Sequence, residues 1–176
     1  VRLFHEHVLV KEPGADVPTP WHQDQPYYCV DGTDTVSLWI PLDSVPRERT
    51  LEFVAGSHKW GKYFRPERFN KTALNENDGL EPVPDIEANR EQYDILGWAL
   101  EPGDAVAFHM LTLHAAGGVD GDHRRRVFSL RYLGDDITHA PRRWKTSPDF
   151  PGLADALPAG APMRHELFPL LIGASE

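Results

Sequence analysis

Trp21-His22-Gln23-Asp24-Gln25 sets an imidazole and a carboxylate two positions apart, directly after the stiff run Pro18-Thr19-Pro20. In an extended segment side chains i and i+2 project to one face. His22 and Asp24 can therefore address a single metal ion while Gln23 points away. Two ligands leave a divalent ion under-coordinated, and the stretch from Gly103 to His114 holds the candidates for a third, His109 and His114. Two histidines and one carboxylate on one face, with the other positions open, form the facial triad of non-haem Fe(II) oxygenases. An uninterrupted strand would put His109 and His114 on opposite faces. His109 reads as a ring hydrogen-bonded at a strand end, whereas His114, at the strand-to-turn junction before Ala115, can reach inward.

A 2-oxo acid that chelates such an ion through its keto and C1 carboxylate oxygens needs a fixed cation for its far carboxylate, and the planar fork of arginine serves bidentately. In the final strand, Arg125, Val127, Ser129 and Arg131 share one face, and Arg126, Phe128, Leu130 and Tyr132 share the other. Arg125 with Ser129 can cradle a carboxylate, and Arg126 takes that role if the faces are reversed. Other polar residues carry blander expectations. His58 fixes a loop after Gly56-Ser57, and His5 and His7 are surface or pocket-wall residues of a first strand. His123, His139 and His165 are solvated, and Arg124 belongs to a turn. Gln25, Tyr27 and Tyr28 divide evenly between pocket and core.

The elements that must position these groups are short strands. Phe4 to Lys11, Thr35 to Ile40, Thr50 to Val54, Leu96 to Leu100, Asp104 to Met110 and Arg126 to Leu133 carry the β-branched and alternating patterns of strands. In the second of them Val36, Leu38 and Ile40 read as the core face, and Thr35, Ser37 and Trp39 as a pocket wall. Residues 59–94 form a polar insert or lid with one helical candidate near Asp85 to Gln92. Residues 140–176 form a proline-rich tail that wraps the domain on anchors such as Trp144, Phe150, Leu167 and Phe168. Many short strands with Gly/Pro turns and little helix predict one mainly β domain over 1–176, a double-stranded β-helix (jelly roll, cupin-like) with a few short helices and a long irregular C-terminal tail.

With 176 residues, 40% apolar and 26% charged, the chain is an ordinary globular domain. A formal charge of −9 argues against a nucleic-acid partner. No apolar run reaches the length of a membrane span, which leaves a small-molecule substrate open as the partner. The lone Cys29 excludes an internal disulfide and fits a reducing cytoplasm, where it serves as a small buried hydrophobe. The opening at Val1, inside a strand-like run, predicts an N-terminal portion beyond it.

The chain resembles the phytanoyl-CoA dioxygenase-like Fe(II)/2-oxoglutarate-dependent oxygenases. The likeness lies in Trp21-His22-Gln23-Asp24, Val36 through Leu42, Leu51 through His58, Gly103-Asp104 through His114, and Arg125 through Tyr132. It extends from near Phe4 to the end, without the helical N-terminal portion such proteins carry. The resemblance implies His22, Asp24 and His114 as iron ligands and Arg125, eleven residues after His114, as the 2-oxoglutarate arginine. It also implies that Trp39 lines the cosubstrate pocket, with O2 as oxidant and succinate and CO2 released. Similar halogenases have a small residue where this chain has Asp24, so hydroxylation is expected. A cupin-like metal-dependent isomerase or hydrolase lacking an oxo acid, a non-catalytic binding member, and a domain with incidental histidines remain the alternatives. Arg125 with Ser129 argues against the first, and the complete ligand set against the others.

Overall fold

A computed structural model describes residues 1–68, 72, 74, 79–119 and 122–173. Parts of the 59–94 insert, the end of the turn after Ala115 and the tip of the tail lie outside the described residues. Among the described residues there are ten strands: β1 (Arg2–Lys11), β2 (Thr19–His22), β3 (Val30–Asp31), β4 (Thr35–Pro41), β5 (Leu51–Val54), β6 (Ile95–Leu96), β7 (Val106–Phe108), β8 (His114–Ala116), β9 (Arg125–Leu133) and β10 (Thr138–His139). They pair antiparallel into two four-stranded sheets, β1-β9-β4-β7 and β2-β8-β5-β6, with β10-β3 as a separate ribbon. This is the jelly roll expected from the strand pattern.

The facing sheets enclose Trp39, Phe108 and Val127 from one side and Leu51, Phe53 and Ala116 from the other. A second cluster joins Phe4, Tyr28 and Met110 to tail residues Leu153, Leu157, Met163 and Phe168. The tail also returns to β1, where Leu3 N–H donates to Pro169 O at 3.1 Å. A third cluster, Val54, Phe64, Ile86 and Leu113, lies under the 59–94 segment.

Three expectations are corrected. On β4 the inward face is Thr35, Ser37, Trp39 and Pro41, while Val36, Leu38 and Ile40 are half-buried outside. The interior of this sheet houses a polar site, which inverts the usual link between apolar and inward. Strands expected over 96–100 and 104–110 shrink to β6, which stops at Gly97, and to the three residues of β7. The helical candidate near 85–92 is a 3-10 segment, Glu87–Gln92, with non-helical backbone at Asn89. Among the described residues the sole α-helix is Leu153–Ala156, and no helix is long and apolar enough to cross a membrane.

Candidate metal centre

β2 and β8 place His22 directly opposite His114, with ring centroids 4.2 Å apart. Asp24 does not continue the strand. Its backbone turns into the right-handed helical region before a 3-10 turn over Gln25–Tyr27, and its N–H donates to Met110 O at 2.8 Å. The extended geometry that motivated the pair therefore stops at His22, yet the convergence survives: one ligand atom each from His22, Asp24 and His114 lie within 4.8 Å of one another. Both Nε2 atoms are 3.7 Å from Asp24 Oδ1.

The ring tautomers follow from the backbone. His22 Nδ1 lies 2.8 Å from Pro20 O, and His114 Nδ1 lies 2.9 Å from Thr112 O. A carbonyl only accepts, so each Nδ1 carries the proton and each Nε2 presents a lone pair. Burial, reinforced by His22, pushes the His114 imidazole down to about 3, which keeps it neutral. Two lone pairs and a carboxylate oxygen thus face one another with no donor between them, and a cation is what such a donor set fits. Phe108 and Phe53 flank His114, with centroids at 4.7 and 6.0 Å.

The second oxygen of Asp24 is fully engaged. Ser37 Oγ donates to Oδ2 at 2.7 Å, and Arg131 donates from Nε at 3.2 Å with its second terminal nitrogen in ion-pair contact at 3.1 Å. Two hydrogen bonds and an ion-pair contact on Oδ2 leave Oδ1 facing the histidines, an arrangement suited to monodentate ligation. Burial opposes ionisation of Asp24, but the Arg131 guanidinium, the two neighbouring histidines and the Ser37 hydrogen bond together outweigh it and hold the carboxyl well below the usual range. Arg131 was legible as an inward residue of the last strand and not as the partner of Asp24. Sequence order cannot show which residue lies across a sheet.

The expected anion end is built differently from a simple cradle. Arg125 and Ser129 do share the inward face of β9, but they do not meet. Ser129 Oγ donates to Leu38 O and accepts from Arg131, while Arg125 donates to the carbonyls of Arg49 and Gly117. Arg125 is 7% exposed and, among the described residues, is paired with no carboxylate. Lys11 pairs with it across the ladder and donates to Gly117 O at 3.2 Å. Burial and the Arg125 charge push the Lys11 amine down to about 8. Arg126 points outward to Asp43, and Arg124 pairs with Glu12 on the surface. Trp39 sits in the intersheet cluster with Phe108 and Val127, between the triad and Arg125.

His109 stands apart from the triad. Its Nε2 lies 2.7 Å from Thr33 O, and its Nδ1 accepts from Leu111 N–H. His58 stacks on it at 5.4 Å. Of the histidines expected to be solvated, His139 is buried, with Nδ1 bonded to Leu157 O at 2.5 Å. Gln25 and Tyr28 are buried, while Tyr27 meets the His22 ring edge-on at 5.9 Å. Cys29 is buried, and burial raises its thiol.

Two neighbours tighten the site. Gln23 does point away, donating to Lys62 O and Leu111 O and accepting from Phe64 N–H, so it ties the 59–94 segment to the ligand strand. Gly56, at φ 73°, lets Ser57 turn inward. Ser57 Oγ accepts from Leu113 N–H, next to His114, and donates to Val54 O. Ser57→Ala leaves that buried N–H unsatisfied and is expected to cost about 1–3 kcal/mol, read from urea midpoints. It should also loosen metal binding through His114; an unchanged midpoint would contradict this positioning role.

A family model described as phytanoyl-CoA dioxygenase (PhyH) matches residues 1–127. A probable phytanoyl-CoA dioxygenase of Caenorhabditis elegans is 26% identical over 120 residues, which cover 67% of this chain and 37% of that protein. The peroxisomal phytanoyl-CoA dioxygenase of Homo sapiens is 25% identical over 141 residues, covering 77% of this chain and 40% of that one. The chain thus spans about two fifths of the length of these curated relatives. Among solved structures, the epimerase SnoN in complex with Fe3+, alpha ketoglutarate and nogalamycin RO superposes with a TM-score of 0.72 at 30% identity. That match covers 96% of this chain and 64% of the other. EvdO2 from Micromonospora carbonacea var. aurantiaca, complexed with 2-oxoglutarate, gives 0.59 at 27% identity, with 80% and 56% covered.

Proposed function

The chain belongs to the phytanoyl-CoA dioxygenase family, and from that premise we propose that it is an Fe(II)/2-oxoglutarate-dependent oxygenase that hydroxylates an unactivated C–H of a small-molecule substrate. The observation that carries the reading is the convergence of His22, Asp24 and His114 on one point with only lone pairs facing inward. Iron held by these three would supply O2 activation coupled to decarboxylation of the oxo acid. The chain supplies the rest. Backbone carbonyls fix both tautomers, and Ser37 with Arg131 keeps Asp24 monodentate, so fewer positions are taken by protein. Arg125, buried, and Lys11, half-buried beside it, are hydrogen-bonded to carbonyl oxygens and suit the far carboxylate of the cosubstrate. Trp39, Phe108 and Val127 exclude water between the two ends. The carboxylate at Asp24 favours hydroxylation over halogenation, and a buried thiol at Cys29 fits a reducing compartment such as the cytoplasm.

Anaerobic titration of Fe(II) and 2-oxoglutarate, followed by the weak visible charge-transfer band of the chelate, tests the reading. Absence of the band and of succinate formation would overturn it. In the same assay Arg125→Ala is expected to raise the 2-oxoglutarate Kd at least tenfold with metal affinity nearly intact, and Arg126→Ala to change neither. Unchanged cosubstrate affinity in Arg125→Ala would remove Arg125 from this role.

A further inference from the structure

β1 presents two histidines to the interior that neither the triad nor the cosubstrate end uses. In the ladder His5 lies opposite Arg131 and His7 opposite Ser129, and β4 continues the rows with Ser37 and Trp39. His5, Arg131 and Ser37 therefore form one cross-strand row, of which two members grip Asp24 Oδ2.

His5 is 7% exposed, and both of its ring nitrogens are buried without a hydrogen-bond partner. Its neighbours are rings: His7 at 4.6 Å, Tyr28 at 4.8 Å and Phe4 at 5.0 Å. Buried polar side chains seldom stay unsatisfied in native proteins, so an orphaned ring needs an explanation. Arg131 cannot supply the partner, because it is engaged with Asp24, Ser129 and Tyr28. Burial, with the Arg131 charge beside it, pushes the His5 imidazole down to about 3. At neutral pH the ring is uncharged and offers one N–H donor and one lone pair. His7, half-buried, extends this polar strip along β1 toward the exposed Val8, Leu9 and Val10.

We propose that His5 and His7 form the substrate-recognition wall of the candidate active site and bind neutral hydroxyl groups of a hydroxylated, sugar-like ring. The inference rests on the oxygenase reading above and names the substrate class for it. A hydroxyl both donates and accepts, so it can satisfy either nitrogen, and a ring bearing several hydroxyls can satisfy both. An ionised carboxylate or phosphate brings acceptors only, and the cation nearest the wall is already neutralised by Asp24. A hydrocarbon chain leaves both nitrogens orphaned.

The test uses protein loaded with Zn(II), a redox-silent stand-in for Fe(II), and with 2-oxoglutarate. Imidazole nitrogen–proton correlation spectra are recorded during titration with methyl glucopyranoside, inorganic phosphate and hexanoate. The glycoside is expected to shift the His5 signals saturably in the millimolar range, at least tenfold more tightly than either other probe. His5→Phe should weaken glycoside binding at least tenfold while Zn(II) and 2-oxoglutarate still bind, and His5→Gln should restore part of it. If His5→Phe does not fold, His7→Phe probes the same wall and should weaken binding several-fold. Silent His5 signals, a stronger response to phosphate or hexanoate, or an unaffected variant would each overturn the inference alone. Failure of Zn(II) or 2-oxoglutarate to bind would instead overturn the oxygenase reading, and this inference with it.

Discussion

His114→Ala is expected to abolish formation of the Fe(II)/2-oxoglutarate chelate, whereas His109→Ala leaves most of it. Among the described residues three ligand groups converge at the centre, and His114 is one of them; its ring is fixed by the Thr112 carbonyl and flanked by Phe53 and Phe108. The methyl of alanine offers no donor atom. Loss of an outer partner of a metal ligand lowers affinity about 10–100-fold, and loss of the ligand itself should exceed that range. His109 has both nitrogens committed elsewhere, to Thr33 O and Leu111 N–H, so its removal disturbs a loop and not the donor set. Anaerobic Fe(II) titration by calorimetry, with far-ultraviolet circular dichroism to confirm folding, separates the two variants. A folded His114→Ala protein that retained wild-type affinity would remove this histidine from the centre. A loss equal in the two variants would show that both act through the loop.

How much of this was legible depends on the physical range of each signal. Strand alternation is local, so it correctly put Arg125, Val127, Ser129 and Arg131 on one face of β9. The same rule misread β4, because it equates apolar with inward, and here the inward row must carry Ser37 to hold Asp24. Gln23 was predicted to point away from the pair, and it does. That it clamps Lys62, Phe64 and Leu111 depends on segments some 40 and 88 residues distant, which no local pattern reports. The pairing of Arg131 with Asp24, 107 residues apart, is hidden for the same reason. From their neighbours in sequence His139 reads as solvated and His5 as a surface or pocket-wall residue. The burial of His139 comes from the tail, where Leu157 O bonds its ring, and His5 is enclosed by Phe4, His7 and Tyr28 beside the Arg131 row.

The metal-free protein is expected to lose stability steeply between pH 6.5 and pH 4, and the cause lies in the same buried rings. His5 and His114 are both pushed down to about 3 by burial. A histidine whose folded pKa lies below its unfolded value of about 6.5 is protonated first in the unfolded chain. Its contribution to stability is therefore complete above pH 6.5 and lost as pH falls from there toward 3. Each ring removes about 1.4 kcal/mol per pH unit over that window. Two rings together then remove about 4 kcal/mol by pH 5, a large share of the 5–15 kcal/mol typical of a domain. Asp24 acts in the same direction at lower pH. Arg131, with the two histidines and Ser37, holds its carboxyl below the usual range, so the stability this gives is present above the unfolded carboxylate value and lost beneath it. Urea midpoints at pH 7 and pH 5 measure the drop. His5→Phe, which removes one of the two rings, should recover about half of it. Equal midpoints at the two pH values would mean that these rings take up protons inside the folded protein, and the neutral imidazoles on which the lone-pair geometry of the centre depends would no longer stand.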